Sequence, residues 1–223
     1  MPGKNVLKVY LENSYYHLYN RGVEKRKIFQ GEQDYAVFLS YLKNYLLPKD
    51  EKNLRQLLSV PNISYREKDN LLQLLHLNNF ADQVTLIAYC LMPNHFHLLL
   101  KQNSKIAIDR FMRSLCTRYT MFFNKKYKRV GPLCQSVYKA VPVESDEQLL
   151  YLTSYIHRNP LSETDNLFSQ PSSLAEYLGQ RNTSWLHPEE ILKFFSKSNP
   201  NISYDTFVRQ SEDLSSVSKL LLD

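Results

Sequence analysis

The stretch Val84-Thr-Leu-Ile-Ala-Tyr-Cys-Leu-Met-Pro-Asn-His-Phe-His-Leu-Leu-Leu-Lys101 decides how this chain folds. Thr85 to Met92 is a nearly unbroken apolar run with a β-branched and aromatic share. Pro93-Asn94 closes it, the pattern of a central strand entering a tight turn. A return strand starts at His95. Strand side chains alternate, so His95 and His97 share one face, roughly 7 Å apart along the backbone, while Phe96, Leu98 and Leu100 point to the other. Two imidazoles so placed can converge on one divalent ion. A His-x-His pair also occurs as two packed or exposed histidines, and a metal needs a third oxygen or nitrogen ligand from elsewhere.

Upstream, Ser14 to Asn20 alternates as a strand and stops at Arg21-Gly22; His17 in its middle reads as a packing residue. Arg21, Lys25, Arg26 and Lys27 then form a basic turn, either a solvated loop or one that contacts phosphate. From Glu32 to Leu47, Tyr35, Phe38, Tyr41, Leu42, Tyr45 and Leu46 recur at helical spacing, and Pro48 ends the helix. Residues 49 to 83 are polar and read as an insertion, with a helical patch at Leu71, Leu72, Leu74 and Leu75.

Downstream, Lys105 to Tyr127 carries an apolar stripe of Ile108, Phe111, Met112, Leu115, Tyr119, Phe122 and Phe123, in which Tyr119 is a core phenol. From Lys101 to Lys139 there are ten Lys or Arg residues and one acid, Asp109. A solvated helix mixes both signs, so this stretch, with Arg113, Arg118, Lys125, Lys126, Lys128 and Arg129, points to a phosphate backbone. Gly131-Pro132 breaks the chain, and Leu133 to Val143 reads as a fourth strand. Ser145 and Gln148 have capping-box spacing before a helix whose stripe is Leu149, Leu152 and Ile156. Tyr151, Tyr155 and Asn159 share one side of it, and Pro160 should end it. His157 lies about 160° from that side, a structural position. The order strand, helix, insertion, strand, strand, helix, strand, helix is that of an α+β, ferredoxin-like split βαβ sheet with helices on one face.

Composition agrees with a nucleic-acid partner: 28 Lys and Arg against 22 acids give a net charge of +6 in 223 residues. Cys90, Cys116 and Cys134 are odd in number and in apolar surroundings, which suits a reducing compartment and buried thiols. No apolar run approaches the ~20 residues of a membrane span, so the expectation is a cytoplasmic protein without membrane contact.

Three strings carry a resemblance: Tyr-His-Leu-Tyr-Asn-Arg-Gly at 16 to 22, Leu-Met-Pro-Asn-His-Phe-His-Leu-Leu-Leu at 91 to 100, and Tyr-Ile-His-Arg-Asn-Pro at 155 to 160. With Ser172-Ser-Leu-Ala-Glu-Tyr-Leu-Gly179, they resemble the single-tyrosine HUH transposases, in particular the REP-associated group, over residues 14 to 180. The resemblance implies a transposase domain over 1 to 180, with the insertion at about 49 to 83, and a helical extension over 181 to 223. It implies that His95, His97 and Asn159 hold Mg²⁺ or Mn²⁺, and that Tyr155 is the nucleophile in cleavage and strand transfer of single-stranded or hairpin DNA. The DNA contacts expected are Arg21, Lys25, Arg26, Arg113, Arg118, Lys125, Lys126, Lys128 and Arg129, in a monomer or homodimer. Two other readings are a domesticated hairpin-DNA binder and a metal hydrolase using His95 and His97 with water. The extension, with Trp185-Leu-His-Pro-Glu-Glu and a final Ser-rich helix candidate, could dock on the core, bind DNA or mediate oligomerisation. His187, before Pro188 at a helix start, needs no catalytic role.

Overall fold

The computed structural model describes residues 10–196, 198, 199 and 202–210. Strands β1 (Ser14–Arg21), β2 (Val84–Met92), β3 (His95–Gln102) and β4 (Lys139–Val143) form one sheet in the order β2-β3-β1-β4, each neighbouring pair antiparallel. The two crossovers therefore join parallel strands through helices α1 (Glu32–Leu46) and α4 (Ala107–Lys126), which is the expected split βαβ topology.

Both crossover helices lie on one face. Phe38, Leu42 and Tyr45 of α1 and Phe111, Leu115, Tyr119 and Phe123 of α4 share a core with Tyr16, Leu18, Leu86, Leu98 and Leu100 of the sheet. Helix α5 (Asp146–Arg158), which the sequence reading grouped with them, covers the opposite face: Leu149, Leu152 and Ile156 pack with Tyr19, Ala88, Cys90, Met92 and Leu99. The sign was in β2, whose residues are all buried except Thr85. A strand apolar on both faces must be covered on both.

Ser145 caps α5 through Oγ, which accepts from Gln148 N at 3.2 Å, while Gln148 Oε1 accepts from Glu144 N at 2.9 Å, one residue before capping-box geometry. The fourth strand is shorter than expected, since of residues 133–138 only Cys134 pairs, in an isolated bridge to Gly22. The insertion holds two helices where one was expected, α2 (Glu51–Leu58) and α3 (Tyr65–His76); neither buries a residue, and they pack chiefly on each other.

The segment after α5 closes the free edge of β2. Leu91 N donates to Pro171 O at 2.9 Å and Ser173 N to Tyr89 O at 3.0 Å, satisfying groups an edge strand would leave open. Helix α6 (Leu174–Tyr177) follows, and Tyr177 Oη donates to Ile87 O at 2.9 Å, beside a register irregularity between Leu86 and Ala88. Trp185 stacks on Tyr89 with ring centroids 6.0 Å apart. Beyond α7 (Glu189–Leu192), Tyr204 and Val208 of α8 (Tyr204–Gln210) enter the core beneath α5. This part of the extension docks on the sheet. The Ser-rich helix candidate at its end lies outside the described residues.

Candidate active site

The pairing of β1 with β3 sets Tyr19 opposite His97 and Arg21 opposite His95, so His17, Tyr19, Arg21, His95 and His97 share the face that α5 covers. Phe96, Leu98 and Leu100 enter the other core, as alternation requires. Helix α5 sets the Tyr155 ring edge-on to His97, with centroids 5.5 Å apart, and to His17 at 6.3 Å. Although Pro160 follows it, Asn159 keeps right-handed helical torsions (φ −51°, ψ −38°) and opens a short 3₁₀ turn. The four-residue spacing from Tyr155 is thereby preserved, and Asn159 Oδ1 lies 3.0 Å from His95 Nε2.

Both imidazoles are held neutral. Burial pushes the pKa of His95 down to about 4, opposed by the hydrogen bond to Asn159 and assisted by Arg21. His97 lies well below the ordinary histidine value through burial, then through the proximity of His17, His95 and Arg21. A neutral ring has one N–H. His95 has amide oxygens at both nitrogens, Asn94 Oδ1 at 2.5 Å from Nδ1 and Asn159 Oδ1 at 3.0 Å from Nε2, and its single proton serves one of them. With Nδ1 donating to Asn94, a nitrogen lone pair faces an oxygen lone pair. A cation bound by both relieves that repulsion, and adjacent corners of an octahedron with bonds of about 2.1 Å lie about 3 Å apart. His97 Nε2 is buried without a hydrogen-bond partner, while its Nδ1 is 2.8 Å from His17 Nε2. The donor set His95, His97 and Asn159 fits a divalent cation. Among the described residues no group of three His, Cys, Asp or Glu side chains offers another centre.

The basic residues divide. Gly22 N donates to Asn94 O at 2.8 Å, Ile28 N to Pro93 O at 2.7 Å and Val23 N to Leu133 O at 3.0 Å, so the loop with Arg21, Lys25 and Arg26 is tied to the Pro93-Asn94 turn that leads into His95 and to the segment at Leu133. Gly22 has no substitute there, because a Cβ would stand 2.2 Å from Arg26 O. Helix α4 ends near this loop, where Tyr119 Oη donates to Ile28 O at 2.6 Å, bringing Lys125, Lys128 and Arg129 to the same end of the sheet. Arg113, paired with Asp109 at 3.0 Å, is three turns earlier on α4, about 18 Å from Lys125 along the axis.

Two cations expected on the DNA-facing surface have partners on α1. Lys126 Nζ donates at 2.6 Å to Asp34, a buried carboxylate that also accepts from Tyr127 Oη and Gln30 N. Burial would raise the Asp34 pKa, but these bonds hold it below the usual carboxylate value. Arg118 lies over the Tyr41 ring at 3.9 Å.

The other candidates fall where sequence placed them. Tyr119 is core, and Tyr151 packs against Phe207 at 5.6 Å. His157 is fully buried, Nδ1 at 2.6 Å from Tyr204 Oη and Nε2 at 2.7 Å from Ser173 Oγ, with both nitrogens committed to structure. His187 pairs with Glu189 at 2.7 Å on the surface. The residue missed was His17, whose position in the Tyr-His-Leu-Tyr string was its only signal.

Residues 61–159, which contain the histidine pair, Tyr155 and Asn159, match the family model described as "Transposase IS200 like". Over that stretch the chain is similar to the IS200-like transposases. No curated protein matches it. The chain is similar in fold to a REP-associated tyrosine transposase solved bound to a REP hairpin, at 8% identity and TM-score 0.51, covering 82% of this chain and 96% of the other. A transposase candidate from Deinococcus radiodurans R1 aligns at 17% identity and TM-score 0.28 over 70% of this chain and 95% of its own. No helix among the described residues is long and apolar enough to cross a membrane.

Proposed function

We propose that this protein is a transposase that cleaves and rejoins single-stranded, hairpin-bearing DNA through a covalent 5′-phosphotyrosine at Tyr155, with Mn²⁺ or Mg²⁺ held by His95, His97 and Asn159. The observation that carries the reading is the convergence of a phenol, two neutral imidazoles and an amide oxygen on one point: Tyr155 against His97 at 5.5 Å and Asn159 at 3.0 Å from His95. Two imidazoles suit Mn²⁺ better than Mg²⁺, which prefers oxygen. The match of residues 61–159 to the IS200-like family model supports transposition, and a hairpin substrate is carried over from the solved relative named for one.

In this reading the Tyr155 oxygen attacks the scissile phosphorus and loses its proton to solvent. The bond from phosphorus to the 3′-oxygen breaks, and that oxygen leaves as a hydroxyl after taking up a proton. One phosphoester replaces another, so a 3′-hydroxyl of a second strand reverses the step with no external energy source. When bound, the cation neutralises charge developing on the phosphate. Arg21, opposite His95, and Lys25 and Arg26 on the adjoining loop position the phosphates on either side, with Lys125, Lys128 and Arg129 extending the track. A cytoplasmic monomer or homodimer is the working state of this proposal.

Incubation with 3′-end-labelled single-stranded DNA and Mn²⁺, followed by denaturation, tests it. The unaltered protein, Tyr119→Phe and Tyr151→Phe are expected to retain label, and Tyr155→Phe to lose it. A hydrolase would release cleaved DNA without any adduct. Label on a peptide containing Tyr119 or Tyr151 in place of Tyr155 would overturn the assignment.

A further inference from the structure

His17 is fully buried on β1, one strand from His97 and diagonal to it, because Tyr19 is the residue directly opposite. The two rings are stacked, 5.0 Å apart and 16° from parallel, with His17 Nε2 2.8 Å from His97 Nδ1. Such a bond holds one proton and can be made in two ways. If His17 donates, the proton of neutral His97 sits on Nε2, an N–H buried with no acceptor and unable to bind a cation. If His97 donates from Nδ1, His17 Nε2 accepts and His97 Nε2 presents a lone pair.

We propose that His17 is a positioning residue that accepts the Nδ1 proton of His97 and so turns a lone pair of His97 toward the metal. This rests on the metal-binding reading of His95 and His97. An outer partner that receives the second N–H of a ligating imidazole fixes its tautomer and its ring orientation, and losing such a partner typically weakens metal binding 10- to 100-fold. The Tyr155 ring, edge-on to both His17 and His97, lies against the same stacked pair, so the ring that orients the ligand also borders the nucleophile.

The test uses the full chain and Mn²⁺ alone, with free Mn²⁺ measured by electron paramagnetic resonance. His17→Leu fills a similar volume but accepts nothing; His17→Gln can place an amide oxygen near the position of Nε2. Relative to the unaltered protein, His17→Leu is expected to bind about 10- to 100-fold more weakly and His17→Gln to recover most of that loss. Equal affinity of His17→Leu and the unaltered protein would overturn the positioning role, and so would a His17→Gln variant as weak as His17→Leu. Long-range nitrogen–proton correlation on the imidazoles of the unaltered, metal-free protein is the second measurement, independent of whether a variant folds. A proton on Nδ1 of His97 supports the inference and one on Nε2 overturns it. If the unaltered protein binds no Mn²⁺, the metal reading itself fails, an outcome distinct from loss of the His17 role alone.

Discussion

Replacing His157 with Leu separates structure from catalysis on α5, because His157 lies between Tyr155 and Asn159 yet faces the other way. Its ring is fully buried, bonded to Tyr204 Oη at 2.6 Å and Ser173 Oγ at 2.7 Å. Leu removes two hydrogen bonds at about 1 kcal/mol each and strands the Tyr204 hydroxyl at about another 1 to 2 kcal/mol. Ser173 Oγ keeps a bond from Tyr89 N at 2.9 Å, so its own cost is small. The sum is about 3 kcal/mol at pH 7, which for a chain of this size lowers Tm by roughly 6 to 12 °C. Burial pushes the pKa of His157 down to about 3. Below about pH 6.5 the unfolded chain takes up a proton here that the folded chain refuses until about pH 3, so the wild-type protein loses about 1.4 kcal/mol per pH unit through this group. The Leu variant does not. His95 and His97 titrate in both proteins and cancel from the difference. Urea unfolding at intervals from pH 7 to pH 4 should therefore show the gap between the two proteins shrinking from about 3 kcal/mol to near zero. A gap that stays constant across that range would refute the buried, neutral, doubly bonded ring.

His95→Ala with His97→Ala should abolish Mn²⁺-dependent cleavage and leave DNA affinity in a filter-binding assay largely intact; full cleavage by the double variant would remove the pair from the chemistry. Because the His95 ring protonates only near pH 4, Mn²⁺ binding measured by calorimetry should hold steady from pH 8 to about 5 and fall below that, and a midpoint near 6.5 would contradict the buried site. Neutralising Lys125, Lys128 and Arg129 together should flatten the dependence of log affinity on log salt by roughly 0.7 per lost single-strand contact. Lys126→Met should lower Tm through Asp34 and leave that slope unchanged; a slope change with no loss of stability would return Lys126 to the DNA.

What the sequence determined by itself was local and periodic. Alternation put His95 and His97 on one face and Phe96 and Leu98 on the other, and helical spacing set Tyr155 one turn from Asn159 and turned His157 away, because side-chain direction within one element depends only on its own backbone period. Tertiary structure decided everything that joins elements far apart in the chain. An apolar stripe on α5 states that one side is buried, but only assembly shows it against the sheet face opposite α1 and α4. His17 and His97 are 80 positions apart, and their bond exists only because β1 pairs with β3. Arg118 and Lys126 read as surface charge, since a sequence shows a cation's sign but not the Tyr41 ring or the Asp34 carboxylate that another helix brings beneath it. Likewise, nothing local marks residues 171–173 as the cover for the edge of β2, or Tyr204 as the partner of His157. Those contacts are set by the closing of long loops around two cores, and the physical information they need is which buried faces meet.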